Sequence, residues 1–104
     1  MKNMSKKMLE TKTTIFTFHR GLEALAIQLE RLKQYLPVTE GGKQAQQQAV
    51  EMLKQKQKKL DEDIATFEER LDLETISFLT GEDTELASDD EIQAARGRGV
   101  ALED

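Results

Sequence analysis

IFTFHRGLEALAIQLERLKQYL, residues 15 to 36, is the stretch that decides the fold. Its apolar residues Ile15, Phe18, Leu22, Leu25, Leu29, Leu32 and Leu36 step by 3, 4, 3, 4, 3 and 4. Side chains three and four apart share one face of a helix, and that alternation is an a/d heptad seam. Met4 and Met8 extend the seam backwards, with Thr11 between Met8 and Ile15. Asn3 or Ser5 can cap the start through a side-chain oxygen. Pro37 ends it, because the residue before a proline is pushed out of the α region. The pattern predicts a helix over about 3–35, roughly 50 Å long. Thr13-Thr14-Ile15-Phe16-Thr17-Phe18 is rich in β-formers and is followed by Gly21, so read alone it resembles a strand. The heptad phase runs through it unbroken, so helix is expected, locally soft.

Residues 36–42 read as a turn. Thr39 suits an N-cap and Glu40 suits the positive end of the helix dipole. A second helix is predicted from Glu40 or Lys43 to Leu79, with a seam of Val50, Leu53, Gln57, Leu60, Ile64, Phe67, Leu71, Glu74 and Phe78. Gly81 is positioned as the left-handed residue that closes it. Folding the helices back at so short a turn makes them antiparallel. Leu29 then meets Leu53, Leu22 meets Leu60, Phe18 meets Ile64, Ile15 meets Phe67 and Thr11 meets Leu71. In the same register Arg20 faces Glu62 and Glu23 faces Lys59. Leu25 opposite Gln57 breaks the apolar pairing; Gln57 either fixes the register or turns its amide to the edge. The fold class is thus all-α: residues 1–80 form an antiparallel coiled-coil hairpin, and residues 81–104 form an acidic tail. Within the tail Ser88-Asp89-Asp90-Glu91 has the form of a capping box. It predicts a short helix over about 89–96, ended by Gly97.

Composition agrees with a thin, elongated helical chain. In 104 residues, charged types reach 34%, aromatics only 5%, and cysteine is absent. Without cysteine there is no disulfide, thiolate metal site or cysteine nucleophile. The net charge of −5 opposes nonspecific nucleic-acid binding. No apolar run is long enough to span a bilayer. Lys2, Lys6 and Lys7 precede no apolar core of a secretory signal. A cytoplasmic chain, or part of a particle assembled in the cytoplasm, is expected.

Candidate chemistry is sparse. His19 has Glu23 one turn on, but a metal site needs more ligands of the right type than this pair supplies. Asp61-Glu62-Asp63 and Glu68-Glu69 are paired carboxylates, which do acid–base work only when a pocket shifts one of them; on an exposed helix face they are solvated. Lys54, Lys56, Lys58 and Lys59 could meet phosphates, yet no aromatic residue interleaves them and an acidic block follows at once. Arg96-Gly97-Arg98-Gly99 is a single arginine–glycine element, better suited to a flexible joint before Val100-Ala101-Leu102. No catalytic, cofactor or metal site is predicted, and the chain is not expected to be an enzyme.

The informative feature is an apolar surplus off the seam. Leu9, Phe16, Leu73, Ile76 and Leu79 cannot all face the helical partner, and the tail adds Leu86, Ile92, Val100 and Leu102. Gln44, Gln46, Gln47, Gln48, Lys54 and Gln55 crowd the other end. These nine apolar residues are predicted to be the partner interface, with a solvated turn. The alternative is that the tail folds back through Leu86, Ile92 and Val100 to cover the others. The leading functional expectation is a structural or adaptor protein that oligomerises or docks into a larger assembly, viral or bacterial, through this end and its tail. The second is a small regulator that binds another protein through the acidic tail. A nucleic-acid binder using Lys54 to Lys59 comes third.

Overall fold

The computed structural model describes residues 4–102. Three helices are present: α1 (Lys6–Gln34), α2 (Glu40–Leu79) and α3 (Asp89–Gly97). There is no strand among the described residues, and α1 and α2 pack against each other as the antiparallel hairpin. Packing divides into two compact units. One draws on residues within Met1–Thr17 and Ala65–Asp104, the other is Phe18–Ile64. The tail after Gly81 is therefore part of the first unit rather than a separate appendage.

The β-rich stretch of α1 is helical throughout. Its threonine hydroxyls find acceptors on the helix itself. Thr13 Oγ1 donates to Leu9 O at 2.9 Å, Thr14 Oγ1 to Glu10 O at 3.0 Å and Thr17 Oγ1 to Thr13 O at 3.1 Å. Bonding back four residues satisfies a hydroxyl without leaving the helix. The heptad seam supplies the tertiary packing that overrides weak helix propensity.

In the Phe18–Ile64 unit, Leu29 and Ile64 are buried, and Leu22, Leu25, Leu32, Val50, Leu53, Gln57 and Leu60 are half-buried. A Cβ at Gly21 would lie 3.3 Å from Leu60 Cδ1, so the missing side chain lets the two helices approach there. This contact agrees with the predicted pairing of Leu22 with Leu60. Lys59 departs from its predicted partner: its Nζ pairs with Asp63 on the same helix at 2.7 Å, in place of Glu23. A neighbour four residues on is already within reach, whereas a cross-helix pair must order two long side chains.

At the turn, α1 ends at Gln34, and Thr39 caps α2 as expected, accepting from Gly42 N at 3.0 Å. Gln46, expected among the solvated glutamines, donates from Nε2 to Leu32 O and to Tyr35 O, both at 2.7 Å. One amide thereby caps two carbonyls at the end of α1, where the Leu32 oxygen also accepts from Tyr35 N at 3.3 Å. The loop itself is not purely polar: Tyr35 is exposed, and Leu36 and Val38 are 84% and 92% exposed.

The other unit has its own small core. Met4, Met8, Leu9, Ala95 and Val100 are buried, with Phe16, Leu71, Phe78, Ala87, Ile92 and Leu102 packed against them. Ser5 caps α1, accepting from Met8 N at 3.1 Å; the alternative cap, Asn3, lies outside the described residues. Ser5 also forms an isolated antiparallel bridge with Leu86. Lys6 N donates to Glu85 O and Ala87 N to Met4 O, each at 2.9 Å. The segment before α3 is thus tied by backbone bonds to the start of α1. Thr11, predicted to face Leu71, is buried and instead donates its hydroxyl to Glu74 Oε1. A carboxylate one turn further along satisfies a buried hydroxyl that a leucine could not.

Both C-terminal ends close in the same way. At α2, Glu82 N reaches Ser77 O at 3.0 Å and Gly81 N reaches Phe78 O at 3.2 Å, with Gly81 at φ 85°. At α3, Val100 N reaches Ala95 O at 3.1 Å and Gly99 N reaches Arg96 O at 3.0 Å, with Gly99 at φ 97°. This bond pair is the Schellman motif, and its usual apolar contact is supplied at α3 by Ala95 and Val100. α3, expected over about 89–96 and ended by Gly97, runs Asp89–Gly97, with Arg98 as its C-cap and the left-handed reversal at Gly99. No neighbour lies within 4 Å of a Cβ built at Gly81. Gly81→Ala should cost about 1 kcal/mol from backbone strain alone, read as a lower urea midpoint at unchanged m-value.

Candidate interaction surface

The nine residues predicted as the partner interface separate into two groups. Leu9 and Val100 are buried within the chain. Phe16, Ile92 and Leu102 are half-buried against the same core. These five are consumed by the fold, as the alternative reading of a folded-back tail required for Ile92 and Val100. Leu73, Ile76 and Leu79 remain 62%, 58% and 70% exposed, and Leu86 is exposed in the segment after α2. At about 100° per residue, Leu73, Ile76 and Leu79 fall within one third of the helix circumference, opposite Phe67, Leu71, Glu74 and Phe78. They form a second apolar stripe on the outer face of α2.

The surroundings of this stripe are acidic. Between Ala65 and Leu86 there are seven carboxylates and one cation, Arg70. The Arg70 guanidinium sits over the Phe67 ring, 4.5 Å from its centroid. Glu69 and Asp72 are exposed and lie within the same arc as Leu73, Ile76 and Leu79.

α3 is held by electrostatics as well as packing. Ser88 Oγ accepts from Glu91 N at 3.1 Å and Glu91 Oε1 accepts from Ser88 N at 2.9 Å, the capping box that the sequence predicts. Lys6 Nζ lies 3.8 Å from Glu85 and 3.9 Å from Glu91. The hydrogen bonds from Ser88 hold the Glu91 carboxyl below its ordinary value, with Lys6 adding to them. A carboxyl whose folded pKa is depressed stabilises the fold above its unfolded pKa and loses that contribution as pH falls through the folded value. The thermal midpoint should therefore fall on Glu91→Ala at neutral pH. The gap between the two proteins should close in acid, below the ordinary carboxylate range. A gap that stays constant with pH would show that charge plays no part. Ser88→Ala should cost about 1 kcal/mol through loss of the cap.

A shallow groove of about 400 Å³ lies beside α3, lined by Leu9, Glu10, Thr13, Thr14, Glu91, Ala94 and Arg98. Its two threonine hydroxyls are already committed to helix carbonyls. His19 is exposed on α1, and Glu68 and Glu69 are exposed on α2. Lys54, Lys56, Lys58 and Lys59 are all exposed; the hydrogen bond to Asp63 raises the pKa of Lys59. Among the described residues, no group of three or more His, Cys, Asp or Glu is placed to hold a metal ion. No helix among them is long and apolar enough to cross a membrane.

Sequence reasoning missed the cap by Gln46, the exposed Leu36 and Val38, and the Lys6 pairing with α3. The first had no signal beyond a glutamine in the second turn of α2. The second was visible as three apolar residues flanking Pro37. The chain matches no protein-family model, no characterised protein and no solved structure in comparisons of all three kinds.

Proposed function

We propose that this protein is a noncatalytic structural or adaptor element, a helical hairpin that joins a larger assembly through the outer face of α2. The observation that carries the reading is the stripe of Leu73, Ile76 and Leu79, left exposed although the tail already covers the neighbouring core residues. Large apolar side chains aligned on one helical face stabilise a contact when covered and cost free energy when wet. The tail's part in this reading is to complete the hairpin's own core, leaving Leu86 as its exposed contribution. Such an element would work in the cytoplasm or in a particle assembled there.

The test is a photoreactive residue in place of Ile76, with the same residue in place of exposed Gln55 as the comparison. Position 76 should give a discrete adduct, of twice the chain's mass or with another protein, that Leu79→Ser suppresses. Equal, diffuse labelling from both positions would remove the reading.

A second reading, a regulator that binds through its acidic tail, draws on Asp89 and Asp90, both exposed in the first turn of α3. Asp89→Asn with Asp90→Asn leaves the capping box intact and should abolish binding of the partner protein under this reading while sparing it under the first. The nucleic-acid reading is weakened by Lys59, whose ammonium is engaged by Asp63.

A further inference from the structure

We infer that the occupant of the α2 stripe is a basic amphipathic helix of another protein, not a second copy of this chain. The inference rests on the reading of Leu73, Ile76 and Leu79 as an interface and deepens it by naming the partner's chemistry.

Three observations point the same way. First, the stripe has helical spacing. Leu73 and Ile76, with Leu79 three residues on, repeat the i, i+3, i+6 pattern that a helix laid alongside would cover, as the seam on the opposite face is covered by α1. Second, the stripe is small. Three side chains more than half exposed present on the order of 300 Å² of apolar surface, well below the roughly 800 Å² per partner of a standard stable interface. That area suits one docked helix better than a self-sufficient homodimer.

Third, the charge excludes self-pairing and favours a cation-bearing partner. Glu69 and Asp72 lie on the stripe's own arc and are exposed. Two copies packed in parallel would set these carboxylates against themselves. Two copies packed antiparallel about Ile76 would bring Glu69 towards Glu82 and Asp83, just past the end of the other helix. Either arrangement places like charges at close range in a partly desolvated contact, which selects against it. The one cation of the Ala65–Leu86 stretch, Arg70, is stacked on Phe67 and does not neutralise the arc. A helix with leucine-like residues on one face and Lys or Arg on its flanks would cover the stripe and pair with Glu69 and Asp72 in the same pose.

The probe is a pair of synthetic amphipathic helices with identical leucine spacing, one with lysine and one with glutamate at every polar position, titrated into the full isotope-labelled chain. The leucine–lysine peptide should shift the amides around Leu73 to Leu79, and added salt should weaken it. The leucine–glutamate peptide should leave them unmoved. Ile76→Ser with Leu79→Ser should lower affinity for the lysine peptide at least tenfold. Glu69→Lys with Asp72→Lys should weaken it similarly and admit the glutamate peptide. All four positions are exposed, so the variants keep their helical circular dichroism. Equal binding of both peptides, or lysine-peptide binding unaffected by the Ile76 and Leu79 changes, overturns the inference. Sedimentation separates the levels of failure. A homodimer lost on Ile76→Ser overturns the occupant while keeping the stripe as an interface. A monomer that ignores both peptides overturns the inference, and the crosslink from position 76 then decides the fate of the interface reading.

Discussion

Met8→Ala is expected to lower the unfolding free energy by about 2–4 kcal/mol, the range for truncating a large side chain in a closed core. Met8 is 1% exposed and sits among Met4, Leu9, Ala95 and Val100. Two of these neighbours, Ala95 and Val100, come from the tail, so the cavity can close only by moving α3. Alanine retains helix propensity, and the cap from Ser5 to the backbone nitrogen of residue 8 is unaffected. The loss is therefore assigned to packing alone. Urea unfolding measures it, and a change within ±0.5 kcal/mol, the scale of surface substitutions, would mean that this core is not closed in solution. On a total of about 5–15 kcal/mol for a domain, the expected loss is a large fraction.

A chain ending at Gly81 should lose still more, about 4–6 kcal/mol. Removing the tail uncovers Met4, Met8 and Leu9, and fully exposing a large apolar side chain costs about 1.5–3 kcal/mol. It also deletes the backbone bonds Lys6 N to Glu85 O and Ala87 N to Met4 O, leaving the fully buried Ser5 at a frayed helix start. Hydrogen exchange should show the amides of the first turns of α1 losing protection. Unchanged protection there would show that the tail does not hold the N-terminus. Cutting the tail removes both its acidic residues and part of the core. Point changes at Asp89 and Asp90 separate the two roles, and truncation does not.

Much of the fold was legible because its determinants are local. The 3–4 apolar alternation specifies helix and seam together, since side chains of that spacing share one face whatever surrounds them. Thr39, Ser88 with Glu91, and Gly81 act within four residues of their own position, so their caps could be read directly, while Ser5 was one of two candidates at the start of α1. The end of α3 near Gly97 was legible, but which glycine takes the left-handed reversal was not, because Gly97 and Gly99 are equivalent locally. The choice between them follows from Val100, which must turn into a core that the sequence does not display.

The candidate interface was legible only as an inventory. Leu9, Phe16, Leu73, Ile76, Leu79, Leu86, Ile92, Val100 and Leu102 all read as apolar surplus. Which of them the chain uses for itself depends on where a tail some eighty residues along the sequence docks. Burial is a property of position in three dimensions, and residue type alone sets only a preference. The heptad seam from Ile15 to Leu32, the two long helices and their antiparallel pairing were determined by the sequence alone, through periodicity and a short proline turn; Leu36, read as the last seam residue, lies beyond α1 and is exposed. The exposed stripe of Leu73, Ile76 and Leu79, the capping of α1 by Gln46 and the clasp of α3 on the N-terminus were decided by tertiary structure. The cap and the clasp join residues far apart in the chain, and the stripe, though local in spacing, stays exposed because the tail docks elsewhere.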